Sequence, residues 1–389
     1  MTRIILLLIL SVSFKIPAQD LFKEGTINHK NHLEVVDFEI FKGKIIIPVS
    51  INNKPYRFLL DTGAPNIISE RLQKDLKLKT INESLIVDAN NNKDTLKIVN
   101  LPSLNIGKLS FENNISLVSD FHNHQLLQCY DIDGFIGSNL FGNTAIKISL
   151  KEKKLYITDK VKNLNPKTKG IKLQLIGSQL APYINIDLEG KNGEKGSEDV
   201  LIDTGMDGIY DISNRAFSVS RSKEIYSQEN SDIGSGSVGL FGNTEEQEQY
   251  QVIIPKIKIN KATLANVSAY TMNDNNSRIG LKLLEYGDII LDFKKKKFYF
   301  ENTSEIQSEN PTKLEFTVEE NTYMIGFVWD EKLKEQIRYG DKVLRIDHLN
   351  IKEMEVCEML TIKEYLKDKS SYEIEILNQN NEIIIIEIE

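Results

Sequence analysis

The chain has 389 residues, of which 40% are hydrophobic and 27% charged, with a formal net charge of −8. That composition excludes a disordered or collagen-like chain, and the acidic balance gives no electrostatic footprint for nucleic acid. The two cysteines, Cys129 and Cys357, fall in different units of the chain and read as ordinary buried thiols rather than a disulfide framework.

Residues 1–18 carry Arg3, the apolar run Ile4 to Leu10 and a small residue at Ala18. This is the pattern of a signal peptide, and the run is too short to span a bilayer comfortably. An exported protein, periplasmic or secreted, is expected, with no membrane association after cleavage. Whether Gln19 to Glu34 blocks a cleft until removed is left open.

Short runs rich in Val, Ile, Phe and Tyr then alternate with Asn, Gly and Lys clusters, which predicts strands. Lys44 to Ile51 is one strand, Asn52 to Pro55 a turn, and Tyr56 to Leu60 a second strand that delivers the chain to Asp61. Leu72 and Leu76 on one face predict a short helix over Glu70 to Leu76.

The segment Leu59-Leu60-Asp61-Thr62-Gly63 reappears as Leu201-Ile202-Asp203-Thr204-Gly205, an offset of 142 residues (203 − 61). A second match, from Ile136-Gly137 to Tyr156, recurs from Ile279-Gly280 to Tyr299 at an offset of 143 (279 − 136). Two matches at nearly one offset predict two copies of one β lobe, spanning 19–160 and 161–302.

Residues 303–313 are polar, carry Pro311 and read as a linker. A third unit, 314–389, is predicted to hold strands at Leu314 to Val318, Tyr323 to Trp329, Lys342 to Asp347, Tyr372 to Leu377 and Glu382 to Ile388, with helical stretches at Glu331 to Ile337 and near Cys357 to Leu366.

The repeated Asp at a strand end has a chemical logic. Two carboxylates brought within about 3 Å cannot both ionise, so they share one proton. One then takes a proton from an attacking water while the other donates to the scissile carbonyl oxygen. Gly63 and Gly205 suit the tight turns, and Thr62 and Thr204 would tie the loops together through their hydroxyls. No metal or other cofactor is needed. His122, His124 and Cys129 lack a fourth ligand and are not read as a metal centre.

Leu59-Leu60-Asp61-Thr62-Gly63-Ala64, its second copy, and the downstream Asp133-Gly134-Phe135-Ile136-Gly137 resemble the retropepsin-like and pepsin-like aspartic proteases. The resemblance covers both lobes. It implies a mainly β, two-lobed acid-protease fold of β barrels, and an aspartic endopeptidase acting on peptide or protein substrates with Asp61 and Asp203 catalytic. Thr62, Gly63, Ala64, Thr204, Gly205 and Met206 would support the active-site loops. Gly234 to Gly239, with Gly234, Gly236 and Gly239, is similar to a glycine-rich flap, whereas the first-lobe candidate, Ile86 to Lys97, has no Gly. Two departures stand out: Met206 where the family has a small or hydroxyl residue, and Arg278 where it has an apolar one. The alternative they keep open is a catalytically weak or inactive peptide-binding scaffold.

In the third unit, Tyr323 to Phe327 followed by Tyr339-Gly340-Asp341-Lys342-Val343 resembles a PDZ domain, a small α+β unit. That resemblance implies binding of an extended or C-terminal peptide by strand addition.

Overall fold

The computed structural model describes residues 25–389 apart from 28, 303–304, 308–310 and 368. The expected signal peptide, 1–18, lies outside the described residues. The chain is mainly β, and its strands are built by simple alternation: in Ala181–Glu189 the side chains of Ile184, Ile186 and Leu188 are buried while those of Asn185 and Asp187 face outward.

Among the described residues, the first lobe is an eleven-stranded sheet. Lys44–Ile51 pairs antiparallel with Lys54–Leu60, which pairs in parallel with Gly134–Ile136. The second lobe, a nine-stranded sheet, repeats the arrangement with Ala181–Glu189, Lys195–Ile202 and Arg278–Ile279. In both lobes the next strand ends on a serine that caps a helix. Ser69 accepts from Leu72 N–H ahead of Glu70–Asp75, and Ser213 accepts from Ala216 N–H ahead of Asn214–Ser222.

A six-stranded sheet joins the lobes, in which Ala145–Ser149 of the first pairs antiparallel with Ile289–Asp292 of the second. Phe141 and Phe293 stack across the same boundary with centroids 6.2 Å apart. The lobes thus share one apolar core. Leu33–Asp37 forms the outer strand of the joining sheet against Lys154–Thr158, and Thr26–Ile27 pairs with Leu109–Glu112. The described part of the segment 19–34 therefore contributes strands to the body of the protein.

The third unit is a six-stranded sheet with the short helices Val356–Met359 and Ile362–Leu366, packed on its own core of Ile325, Ile346, Ile362, Ile374 and Ile376. It is not held at a distance. Within the stretch read as a linker, Glu305–Gln307 pairs in parallel with Ala262–Met272, and Ile306 is buried in the core of the lobes. Cys129 and Cys357 form a disulfide, with Cα atoms 5.0 Å apart, that ties the first lobe to the third unit. This overturns their reading as separate thiols: they lie 228 residues apart in sequence, but the third unit folds back onto the lobes and brings them together.

Further contacts hold that placement. Lys42 Nζ donates to Cys357 O at 2.8 Å, Gln125 Nε2 to Val318 O at 2.9 Å, and the Trp329 ring lies 5.7 Å from that of Tyr270. Among the described residues no helix is long and apolar enough to cross a membrane.

Candidate active site

Each candidate loop begins where an apolar strand ends. Phe58, Leu59 and Leu60 are buried, and Asp61 N–H donates to Ile136 O at 3.0 Å, so the strand beneath fixes the loop's start. In the second lobe Asp203 N–H donates to Ile279 O at 2.9 Å.

The carboxylates are then oriented by their own loops. Asp61 Oδ1 accepts from Gly63 N–H at 2.9 Å and Ala64 N–H at 3.0 Å, and Asp203 Oδ1 accepts from Gly205 N–H at 2.9 Å. The two loops meet face to face. A methyl group on Gly63 would lie 2.6 Å from Asp203 Cγ, and one on Gly205 would lie 2.5 Å from Asp61 Oδ2, so only glycine lets each backbone approach the opposite carboxylate.

Thr62 and Thr204 are fully enclosed between the loops. Thr62 Oγ1 donates to Ile202 O at 2.6 Å and Thr204 Oγ1 donates to Leu60 O at 2.8 Å. Ser138 Oγ donates to Thr62 O at 2.8 Å, and the Asn66 and Asn139 amides brace the first loop from below. In the second loop Leu281 N–H donates to Met206 O at 2.8 Å, and the Met206 methyl packs over Gly208 and Gly280.

The electrostatics are unequal. Burial, followed by the charge of Asp203, pushes the Asp61 carboxyl up to about 7, against the opposing pull of Arg278. Arg278 Nη1 sits 2.6 Å from Asp203 Oδ2, and its Nη2 pairs with Asp274. Lys44 reaches across from the first lobe to the second loop, donating to Gly205 O at 2.6 Å and pairing with Asp207. Lys363 of the third unit meets the other oxygen of Asp207 at 3.0 Å. Nearby, burial and then the charge of Glu315 push Asp211 up to about 7.

Two hairpins meet tip to tip. The turn between Thr80–Val87 and Lys93–Leu101 places Asn90 Nδ2 3.2 Å from both Ser237 O and Gly242 O, Ser237 Oγ donates to Asn90 Oδ1 at 2.8 Å, and Phe241 N–H donates to Asp88 Oδ2 at 2.9 Å. The glycine-poor first hairpin turns through Asn91, which adopts φ 64°. Leu240 and Phe241 of the second hairpin and Leu360 of the third unit pack on the apolar wall formed by Leu59, Ile67 and Phe135.

The third unit also covers the second hairpin, where Gly234 and Gly236 lie against Gly326 and the Phe327 ring and Val328 N–H donates to Asp232 Oδ2 at 2.6 Å. Gly239 faces the Asp88 carboxylate, and its carbonyl accepts from His124 Nε2 at 2.8 Å. His124 is thus engaged with a backbone carbonyl and Cys129 is taken up by the disulfide, and among the described residues no group of three His, Cys, Asp or Glu side chains is placed together as metal ligands. An open cavity of about 550 Å³ lies elsewhere, beside the disulfide, lined by Lys42, Met354, Cys357, Glu358 and Thr361.

Sequence reasoning missed Lys44, Asp207, Asp211 and Lys363. Lys44 and Lys363 act on the second loop from distant parts of the chain, so no local pattern marks them. Asp207, four residues beyond Asp203, was the one within reach of a local reading.

A profile of the aspartyl protease family matches residues 47–140, which hold the first loop and the strand beneath it. Comparison with curated protein sequences gives no match. Among solved structures, the chain is similar to a retropepsin-like aspartic protease from Rickettsia conorii, at 18% identity over 34% of this chain and 94% of that one, with a TM-score of 0.24. It is similar to an aspartic proteinase from Irpex lacteus, at 12% identity over 70% of this chain and 98% of that one, with a TM-score of 0.41. Basic 7S globulin from soybean is similar at 10% identity over 70% of this chain and 95% of that one, with a TM-score of 0.41.

Proposed function

We propose that the chain is an aspartic endopeptidase in which Asp61 and Asp203 activate water against a peptide bond. The observation that carries this reading is the reciprocal approach of the two loops, each glycine lying against the other lobe's carboxylate. In a dyad sharing one proton, the ionised carboxylate takes a proton from water as its oxygen bonds to the carbonyl carbon. The protonated carboxyl gives its proton to the carbonyl oxygen, producing a neutral gem-diol. Collapse returns the hydroxyl proton to one carboxylate, while the other protonates the departing nitrogen as the C–N bond breaks.

In this reading the meeting hairpins serve as the flaps over the site, and the apolar wall by Ala64 suits an apolar substrate side chain. The PDZ-like reading of the third unit, as a binder of an extended peptide, is supported by its small sheet with two short helices. Export to the periplasm or beyond is supported by the Cys129–Cys357 disulfide, because such bonds persist in oxidising compartments.

The test is incubation of the mature protein with a diverse peptide mixture, read by mass spectrometry, with and without a statine inhibitor. Statine-sensitive cleavage that disappears in both Asp61→Asn and Asp203→Asn is the expected result. Peptides retained but never cut would replace this reading with that of a scaffold.

A further inference from the structure

The two lobes are copies, yet their loops rest on different residues. At the offset of 143 that relates the strands beneath them, Arg278 corresponds to Phe135 (278 − 143). Phe135 is buried and stacks on Phe121 with centroids 5.2 Å apart, so nothing ionic supports the first loop from that position. Arg278 is held in parallel register beside Leu201, its side chain 14% exposed, with one nitrogen on Asp203 and another on Asp274. Its Nε is buried without a partner.

Taking Asp61 and Asp203 as a proteolytic dyad, we infer that Arg278 is a positioning residue that holds Asp203 as the anion and leaves the shared proton on Asp61. A guanidinium 2.6 Å from one carboxylate stabilises the charged form of that partner far more than that of its neighbour. Asp203 is then the member that takes the proton from water, and Asp61 the member that donates to the carbonyl oxygen.

The other charges around the pair do not reverse this bias. Lys363 from the third unit binds Asp207, and Lys44 from the first lobe pairs with Asp207 in contact and senses the charge of Asp61 more weakly, whereas Arg278 touches Asp203 directly. On the second lobe, Asp211 and Tyr183 sense the charges of Arg278 and Asp203, but burial favours the neutral form of each. Burial does the same for Glu315 of the third unit and for Tyr130 of the first lobe.

The experiment is a pH titration of the full mature chain labelled with ¹³C at the aspartate side-chain carboxyls. The two signals are assigned through Asp61→Asn and Asp203→Asn, and the pH profile of kcat/KM for peptide cleavage is recorded alongside. In the wild type the Asp61 signal is expected to titrate above that of Asp203. Arg278→Gln should bring the two together and move both limbs of the cleavage profile to higher pH, by about one to three. Arg278→Lys, which keeps the charge, should restore the order. Asp274→Asn, which leaves Asp203 as the guanidinium's carboxylate partner, should move the limbs to lower pH and provides a test should Arg278→Gln fail to fold. A wild-type proton on Asp203, or an unchanged order in Arg278→Gln, would overturn the assignment. If the wild type cleaves no peptide, the proteolytic reading fails while the carboxyl titration still decides what Arg278 does.

Discussion

Thr62 and Thr204 hold each other by one pair of hydrogen bonds run in opposite directions: Thr62 N–H donates to Thr204 Oγ1 at 3.0 Å, and Thr204 N–H donates to Thr62 Oγ1 at 3.1 Å. Each hydroxyl then passes its own proton to the opposite strand, so the lobes are locked together at the dyad. Valine at either position keeps the shape but strands a buried N–H and a buried carbonyl. Thr62→Val or Thr204→Val is expected to cost about 1–3 kcal/mol for each group left unpaired. Denaturant unfolding measures that loss, and peptide cleavage should fall with it. Unchanged stability in both variants would mean that the shared sheet alone sets the spacing of the loops.

The disulfide gives a second expectation. Cys129→Ser combined with Cys357→Ser should lower stability by about 2–4 kcal/mol. Mild reduction should also speed protease nicking near residues 311–313, since the bond fastens the third unit to the first lobe. A chain ending at Asn302 loses that bond, the strand Glu305–Gln307 and the cover over Tyr270, and is expected to melt lower than the full chain. Equal melting temperatures, followed by circular dichroism, would show the lobes to be self-sufficient.

These dependences explain what the sequence could and could not reveal. Asp61 and Asp203 were legible because their loops are local: an apolar strand, a polar triplet, and the same pattern again at one offset. The strand Lys44–Ile51 was legible from its own composition, with the same bounds as in the structure. Contacts made by the folding back of the third unit leave no such trace. Nothing near Cys129 announces Cys357, and nothing near Lys363 announces Asp207. Arg278 was visible as a departure from pattern, but its partner Asp203 lies 75 residues away and follows only from the parallel pairing of two strands. The first hairpin lacked its glycine signal because Asn91 takes the left-handed position, one of the few non-glycine residues suited to it.

Asp211 supplies a pH-dependent expectation. It binds its proton more tightly in the folded chain, with a carboxyl pushed up to about 7 chiefly by burial and then by Glu315. The sign follows: this contribution is fully present below the ordinary carboxylate range and is lost as pH rises through about 7. Asp211→Asn removes the titration, so its stability curve should be flatter, with little change at pH near 4 and a gain of roughly 1 kcal/mol or more near pH 8. Thermal melts at the two pH values measure it. A gain of equal size at both would assign the effect to packing rather than to charge.

Met206 stands where the family that the loops resemble has a small or hydroxyl residue, and a thioether turned toward Asp203 would exclude water from it. Its methyl instead packs over Gly208 and Gly280, while its backbone oxygen accepts from Leu281 N–H at 2.8 Å. The side chain thus fills the floor of the second loop, and removing it should leave the charges around the dyad unchanged. Met206→Ala is expected to lower stability by about 2 kcal/mol or less, since the site is only partly buried and can relax. Its pH profile of kcat/KM should superimpose on that of the wild type, with turnover reduced only as far as the loop loosens. Met206→Thr should behave alike unless its hydroxyl finds a carboxylate. The decisive measurement is kcat/KM across pH for the wild type and both variants. A displacement toward lower pH in Met206→Ala would show that the thioether does keep water from Asp203, and the floor-packing account would then fail.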